Sequence, residues 1–342
     1  MANNPLQDRN YLHERHRLSH QQIDRFLGEN RCMEFVQEKL KRLEDVKLFL
    51  TVTDRLRDNN IPFVCLKGPM LSFRIYGDPS VRFSHDIDLL LELDHIEPAL
   101  KVMEEYGYKL SNGMIWPEKK IQQELLISAL HHLSFIHVKS GHCIELHWKL
   151  TSNLPISEKK LKELVGSNLT AMNLSGRTFF VLNKEFELLF LMIHGARHKW
   201  SRLKWLVDIN DYPFNEINHA RFLELTQQLK ANRIIGQTNY LLMKYFNNHL
   251  HVGNPNKIPA YMLRHAQECI ENKLSDDTST IALIRIFIYQ ILLFPDWCYK
   301  LKVINAAFFR HGDVLEQDFS SKASYFLYRP YSFIKRRILH VK

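Results

Sequence analysis

No two cysteines in the 342-residue chain are spaced as C-x-x-C. The five present, Cys32, Cys65, Cys143, Cys269 and Cys298, are scattered and odd in number. That pattern argues against a disulfide framework and against a structural zinc site, and favours free thiols in a reducing cytoplasm. The opening segment, MANNPLQDRNYLHERHRLSH, has no apolar stretch of the kind a secretory signal needs. No apolar run is long enough to cross a bilayer. The longest, residues 281–294, is interrupted by Arg285 and Gln290 and closed by Pro295. A buried helix is expected there, with a helix lying on a membrane surface as the alternative. Repeats and low-complexity tracts are also missing, which excludes solenoid, collagen-like and disordered chains. What is present is the balance of a soluble globular protein, 45% hydrophobic and 24% charged. A formal charge of +9 suits polyanionic partners such as nucleotides, nucleic acid or an acidic membrane face, although charge alone does not select among them.

Apolar residues recur at helical spacing from residue 22 to 58, predicting one long helix or two shorter ones that stop at the turn DNNIP. The texture then changes. PFVCL (62–66) reads as a buried strand, MLSFRIYG as a short helix, and DIDLLLEL (86–93) as a second strand. Asp94 is a plausible N-cap for a helix over 94–106, which Gly107 ends. HLSFIHV (132–138) and HCIELHWKL (142–150) flank the turn KSGH and read as an antiparallel hairpin. From about residue 183 the pattern is helical, with segments near 185–200, 202–212, 219–230, 234–248, 258–273 and 280–294 and a basic tail that also reads as helical. The expected division is an N-terminal helical segment (1–58), an α/β catalytic domain (59–182) and a C-terminal helical domain (183–342).

Asp86 and Asp88 leave the same face of their strand, about 6.6 Å apart along it. Two carboxylates so placed can jointly bind divalent cations. Acid-x-acid pairs are common by chance, so the surroundings must discriminate. Upstream lies a strand, then Lys67 and Gly68, then a helix N-terminus, a combination suited to anions because amide N–H groups and the helix dipole face the ligand. Lys67 and Arg82 would neutralise a triphosphate, with Ser84 beside them. On the later strand Ile144, Leu146 and Trp148 share one face, and Cys143, Glu145 and His147 the other. If that strand lies beside the Asp86 strand, Glu145 completes a three-carboxylate cluster, as a ligand in a two-metal site or as general base.

Taken together, LKG, the tyrosine of RIYGD, VRFSHDIDLLL and IELHWKL resemble the uncharacterised nucleotidyltransferase family of the polymerase-beta-like superfamily. The matching positions are Lys67, Gly68, Tyr76, Arg82, Asp86, Asp88, Glu145, His147 and Trp148. HGARHKWSRLKWLVDI (194–209) is similar to the family's helical segment with paired histidines, and the resemblance covers roughly residues 40–215. It implies an α+β fold, a polymerase-beta-like core of mixed sheet flanked by helices, to which the periodicity adds an N-terminal helix and a C-terminal helical domain. It implies transfer of a nucleoside monophosphate from a nucleoside triphosphate to an acceptor, with Mg²⁺ or Mn²⁺ as cofactor. The acceptor, whether small molecule, protein or RNA, is not implied. Two departures stand out. Pro69 follows the glycine and removes a backbone donor from the phosphate loop, and the third acid is Glu145 rather than aspartate.

Further candidates for lining the cleft are His85, His194, His198, Arg202, Lys204 and Asp208, with Tyr76 and His147. His194 and His198 share a helix face at metal-ligand spacing, but without the glutamate of a metalloprotease motif. Arg197, Arg202 and Lys204 are basic neighbours suited to phosphate or an acidic acceptor, with Asp208 as an ion-pair partner; each is equally compatible with a solvated helix face. Readings that stay open are a toxin-like or regulatory transferase acting on RNA or protein, a non-catalytic module that kept the fold, and a basic RNA-binding protein.

Overall fold

Alternating apolar and polar residues build a seven-stranded mixed sheet in the computed structural model, which describes residues 5–30, 32–84, 86–250, 258–271, 279–308 and 311–337. The strands are β1 (Val64–Cys65), β2 (Asp86–Leu90), β3 (Tyr108–Leu110), β4 (His132–His137), β5 (Cys143–His147), β6 (Leu169–Leu174) and β7 (Arg177–Leu182). Their spatial order is β3-β4-β5-β2-β1-β7-β6. β2 runs parallel to β5 and β1 parallel to β7, and the other neighbours are antiparallel.

The helices before and among the strands are α1 (Arg9–Glu14), α2 (His20–Leu27), α3 (Cys32–Asp58), α4 (Pro69–Tyr76), α5 (Ile96–Glu105), α6 (Lys120–Ala129) and α7 (Glu158–Ser167). After β7 come α8 (Lys184–Arg197), α9 (Lys204–Asn210), α10 (His219–Gln228), α11 (Asn232–Phe246), α12 (Ala260–Ile270), α13 (Thr280–Leu292), α14 (Trp297–Phe308), α15 (His311–Glu316) and α16 (Lys322–Arg337).

The two faces of the sheet meet different cores. Ile87, Leu89, Leu133, Phe135, Ile144 and Leu146 pack with Phe49, Val52 and Leu56 of α3 and with Ala99, Val102 and Met103 of α5. Each such side chain contributes about 1.5–3 kcal/mol on leaving water. Leu66, Leu90 and Leu182 instead join the core of α8 to α14, where α1 and α2 also dock through Leu12 and Ile23. The polar face of β2 and β5 is therefore set toward the α8–α9 side.

Several expectations change in detail. The helix over 22–58 is two helices, because Gly28 takes a left-handed conformation and caps α2. The strand at 62–66 shrinks to Val64–Cys65, and that at 86–93 ends at Leu90. Asp94 is not an N-cap: it lies inside a 3-10 turn, Leu93–His95, that leads into α5. The β6–β7 hairpin closes through Ser175 and Gly176, both at positive φ, the geometry that matches strand twist in a two-residue turn. Of α13 only Tyr289 is buried, while Ile281 and Ile284 are 70% and 52% exposed, so the expected buried helix is a largely exposed one. No described helix is long and apolar enough to cross a membrane.

Candidate functional site

The register of β2 against β5 sets Asp88 opposite Glu145 and Asp86 opposite Cys143. β4 extends the same rows, with Ser134 opposite Glu145 and His132 opposite His147. Directly opposed residues point to one side of a sheet, so Asp86, Asp88, Glu145, His147, Ser134 and His132 share a face. Ligand atoms of Asp88, Glu145 and His147 lie within 4.8 Å of one another. Asp86 stands one step further up the strand and outside that group.

Lys67 reaches this face because the chain turns sharply after β1. Gly68 adopts φ 71° and ψ −142° and caps α4, with Pro69 in the first turn, a backbone region that side chains other than glycine's oppose. Lys67 Nζ then sits 3.0 Å from Asp88 Oδ1 and 3.5 Å from His194 Nε2. His147 Nε2 lies 3.1 Å from Asp88 Oδ1 and 3.2 Å from Glu145 Oε2. Ser134 Oγ donates to Glu145 Oε1 at 3.2 Å. Asp88 Oδ2 is buried and has no hydrogen-bond partner among the described residues.

These contacts set the charges. Burial alone would raise the Asp88 carboxyl, yet Lys67 and His147 hold it well below its ordinary value. Burial pulls Lys67 down, but Asp88, Asp86 and Glu145 keep it above the usual lysine value. His147 is raised in the same way, its burial outweighed by hydrogen bonds to Asp88 and Glu145. His194 is pushed well below its ordinary value by burial and by Lys67, and His198 falls to about 3 for the same reasons. Both rings pack against Trp205, His198 stacked at 4.9 Å and His194 edge-on at 5.8 Å.

Other expected site residues are placed differently. Arg82 is buried and held by Asp208 at 2.8 and 2.9 Å. Tyr76 donates to Asp211 at 2.9 Å and accepts from Gln22 at 3.0 Å, so it joins α4 to the helical side and touches none of the carboxylates on the sheet. Ser84 Oγ donates to the Asp86 carbonyl at 2.8 Å and shapes the backbone there. His85 lies outside the described residues. Lys204 is buried beside Asp86 and Arg82, and burial followed by repulsion from Arg82 lowers it to about 8. Neither Lys204 nor Arg202 forms an ion pair with a carboxylate among the described residues.

Sequence reading missed His131, His132 and Ser134. The signal was present in HLSFIHV, where the alternation that buries Leu133 and Phe135 turns His132 and Ser134 to the opposite face.

The arrangement is that of a mixed α+β protein with an acid–imidazole–lysine cluster on one face of its sheet. The model of the uncharacterised nucleotidyltransferase family matches residues 36–247, and the chain belongs to that family. No curated protein and no solved structure matches it.

Proposed function

We propose that the chain moves a nucleoside monophosphate from a nucleoside triphosphate to an acceptor, releasing pyrophosphate, on a polymerase-beta-like core that uses Mg²⁺ or Mn²⁺. The observation that carries this reading is the pairing of Asp88 with Glu145 on adjacent parallel strands, with Asp88 Oδ2 buried and unpartnered. A buried carboxylate oxygen without a partner is costly unless a ligand meets it, and hard divalent cations take oxygen donors, so the residues fit the ion. Asp86, Asp88 and Glu145 would hold it. When bound, it would supply charge neutralisation for the triphosphate and for the leaving pyrophosphate.

The remaining steps belong to the chain. Lys67 neutralises Asp88 in the resting site and must yield part of that contact when a cation enters. Glu145, its orientation fixed by hydrogen bonds from Ser134 and His147, would complete the ion's ligands or, left free of the ion, take the acceptor's proton. Triphosphate contact passes to Lys204 and Arg202, which have no carboxylate partner among the described residues, whereas Arg82 Nε is committed to both oxygens of Asp208. Ser84 shapes the backbone at Asp86, and Gly68 shapes the turn that carries Lys67 to the site. His194, His198 and Trp205 wall the cleft. Along the sequence we propose an N-terminal segment to residue 58, a catalytic part to 182 and a helical part beyond, with α1 and α2 packed onto the helical part.

The test is transfer of label from each α-labelled nucleoside triphosphate into a host lysate, with Mg²⁺ or Mn²⁺, beside the Asp86→Asn, Asp88→Asn double variant. Label entering one fraction only with the unmodified protein supports the reading, and the fraction shows the acceptor class. No label with any nucleotide, together with no metal-dependent nucleotide binding, would leave a non-catalytic module.

A further inference from the structure

His131 and His132 stand where the chain enters β4, and the His132↔His147 register brings a third imidazole beside them. One ring nitrogen from each of the three lies within 4.8 Å of the others. The rings are close, with centroids 4.3 Å apart for His131 and His132, 4.8 Å for His132 and His147 and 5.7 Å for His131 and His147. Three nitrogens that share one tetrahedral ion at about 2.0–2.1 Å stand about 3.4 Å apart, so the rings would close by up to about 1.4 Å to hold one.

Two of the rings turn one nitrogen toward a carboxylate. His147 has Nε2 on Asp88 and Glu145, while its Nδ1 is buried with no hydrogen-bond partner among the described residues. His132 has Nε2 3.5 Å from Glu145 Oε1, and its Nδ1 is likewise buried without a partner among the described residues. A ring that gives one nitrogen to a carboxylate and keeps the other uncommitted is the arrangement that fixes a metal-ligating histidine. Buried polar atoms without partners cost free energy, and two of them in one three-histidine group are accounted for together by one ion.

We propose that His131, His132 and His147 form a second metal position, for a borderline divalent ion such as Zn²⁺, beside the carboxylate cluster. Imidazole donors select Zn²⁺ over Mg²⁺, which prefers oxygen. In this position Asp88 and Glu145 act as orienting partners of the histidines. The assignment stands whether or not nucleotidyl transfer is the reaction, because its readout is binding.

The experiment uses tag-free, chelator-treated protein in excess Mg²⁺. Zn²⁺ binding is measured by calorimetry, and Co²⁺ is added as a visible-absorption probe. The expected result is one equivalent of Zn²⁺ bound, retained in Asp86→Asn and weakened at least tenfold in the His131→Ala, His132→Ala double variant. X-ray absorption at the zinc edge of the unmodified protein should show three imidazole nitrogens, a readout that does not depend on how the variant folds. Absence of Zn²⁺ binding in Mg²⁺, unchanged affinity in the double variant, or a zinc shell with fewer than three imidazoles would each overturn the site.

Discussion

Arg82 is inside the protein because its Nε–H is shared by the two carboxylate oxygens of Asp208, at 2.8 and 2.9 Å. Removing one partner of such a buried pair leaves a charge with no counter-charge, which costs about 3–5 kcal/mol. Asp208→Asn is therefore expected to lower stability by about that amount in urea denaturation. Arg82→Met combined with Asp208→Leu should recover most of it; a double variant as unstable as the single one would refute the pairing as the cause. Lys204 is the converse case, buried with no carboxylate ion-pair partner among the described residues, so Lys204→Met should cost little stability. It should raise the KM for nucleoside triphosphate about tenfold, equivalent to roughly 1.4 kcal/mol. Because burial and Arg82 bring Lys204 down to about 8 from 10.5, its positive charge is lost as pH rises past about 8. Nucleotide affinity should weaken over that range in the unmodified protein and stay flat in Lys204→Met. The same shift makes the unfolded chain the better proton binder between those two values, so this lysine adds stability as pH rises through that window. The acids of the cluster were legible at this scale because strand alternation shows which side chains share a face. The ion pairs were not: Arg82 and Asp208 are 126 residues apart, and only the folded chain, which brings α9 to the loop before β2, unites them.

Where α8 ends, the chain makes a tight left-handed turn, with Lys199 and Trp200 both at positive φ. Trp200 folds back onto Gly195, is fully buried and donates to Gln237 at 3.0 Å. A methyl group at position 195 would meet the Trp200 ring at 2.3 Å. Gly195→Ala must therefore push the ring or the helix aside, at a cost of about 1–3 kcal/mol or more. It also shifts His194 and His198, the site residues on either side. Thermal denaturation should show the loss; a melting point equal to that of the unmodified protein would mean Trp200 does not pack there. Gly68→Ala differs, since the added carbon has room, its nearest neighbour being the Asp86 carbonyl at 3.9 Å. Its cost is backbone strain alone, about 1–3 kcal/mol. The sequence marked Gly68 as a turn before a helix, and that much was readable. The turn at 199–200 was not, because neither lysine nor tryptophan signals a left-handed backbone, and tertiary packing imposes it. The β6–β7 hairpin left a signal in the pair Ser175-Gly176 between β-rich runs, which the reading passed over.

For the molecule as a whole, periodicity foretold an α/β part followed by helices, because alternation and helical spacing record which face is apolar, while the mixed sheet was implied by the family resemblance. They do not record what covers that face, which is why α13 reads as buried yet stands largely exposed. Nor do they show that the N-terminal helices dock on the far end of the chain, where two histidines make folding sensitive to acid. His16 Nδ1 accepts the Leu203 N–H at 2.9 Å, so it must be unprotonated in the folded protein. Burial, with Arg15 nearby, lowers it to about 3. His265 lies between the rings of Tyr261 and Tyr289, and burial, with Lys199 and Arg285, lowers it to about 4. Both folded values lie below the ordinary 6.5. The unfolded chain therefore binds more protons below that pH, and the stability these rings contribute is lost as pH falls toward 3–4. Each group changes stability by about 1.4 kcal/mol per pH unit within its window. Together they should remove about 3 kcal/mol between pH 6.5 and 5. The check is urea denaturation across that range for the unmodified protein and for His16→Gln, His265→Gln. The variant starts less stable near neutrality, since glutamine fits neither site as well, but its loss on acidification should be smaller by about 3 kcal/mol. Equal losses in the two proteins would show that these rings do not govern the acid response.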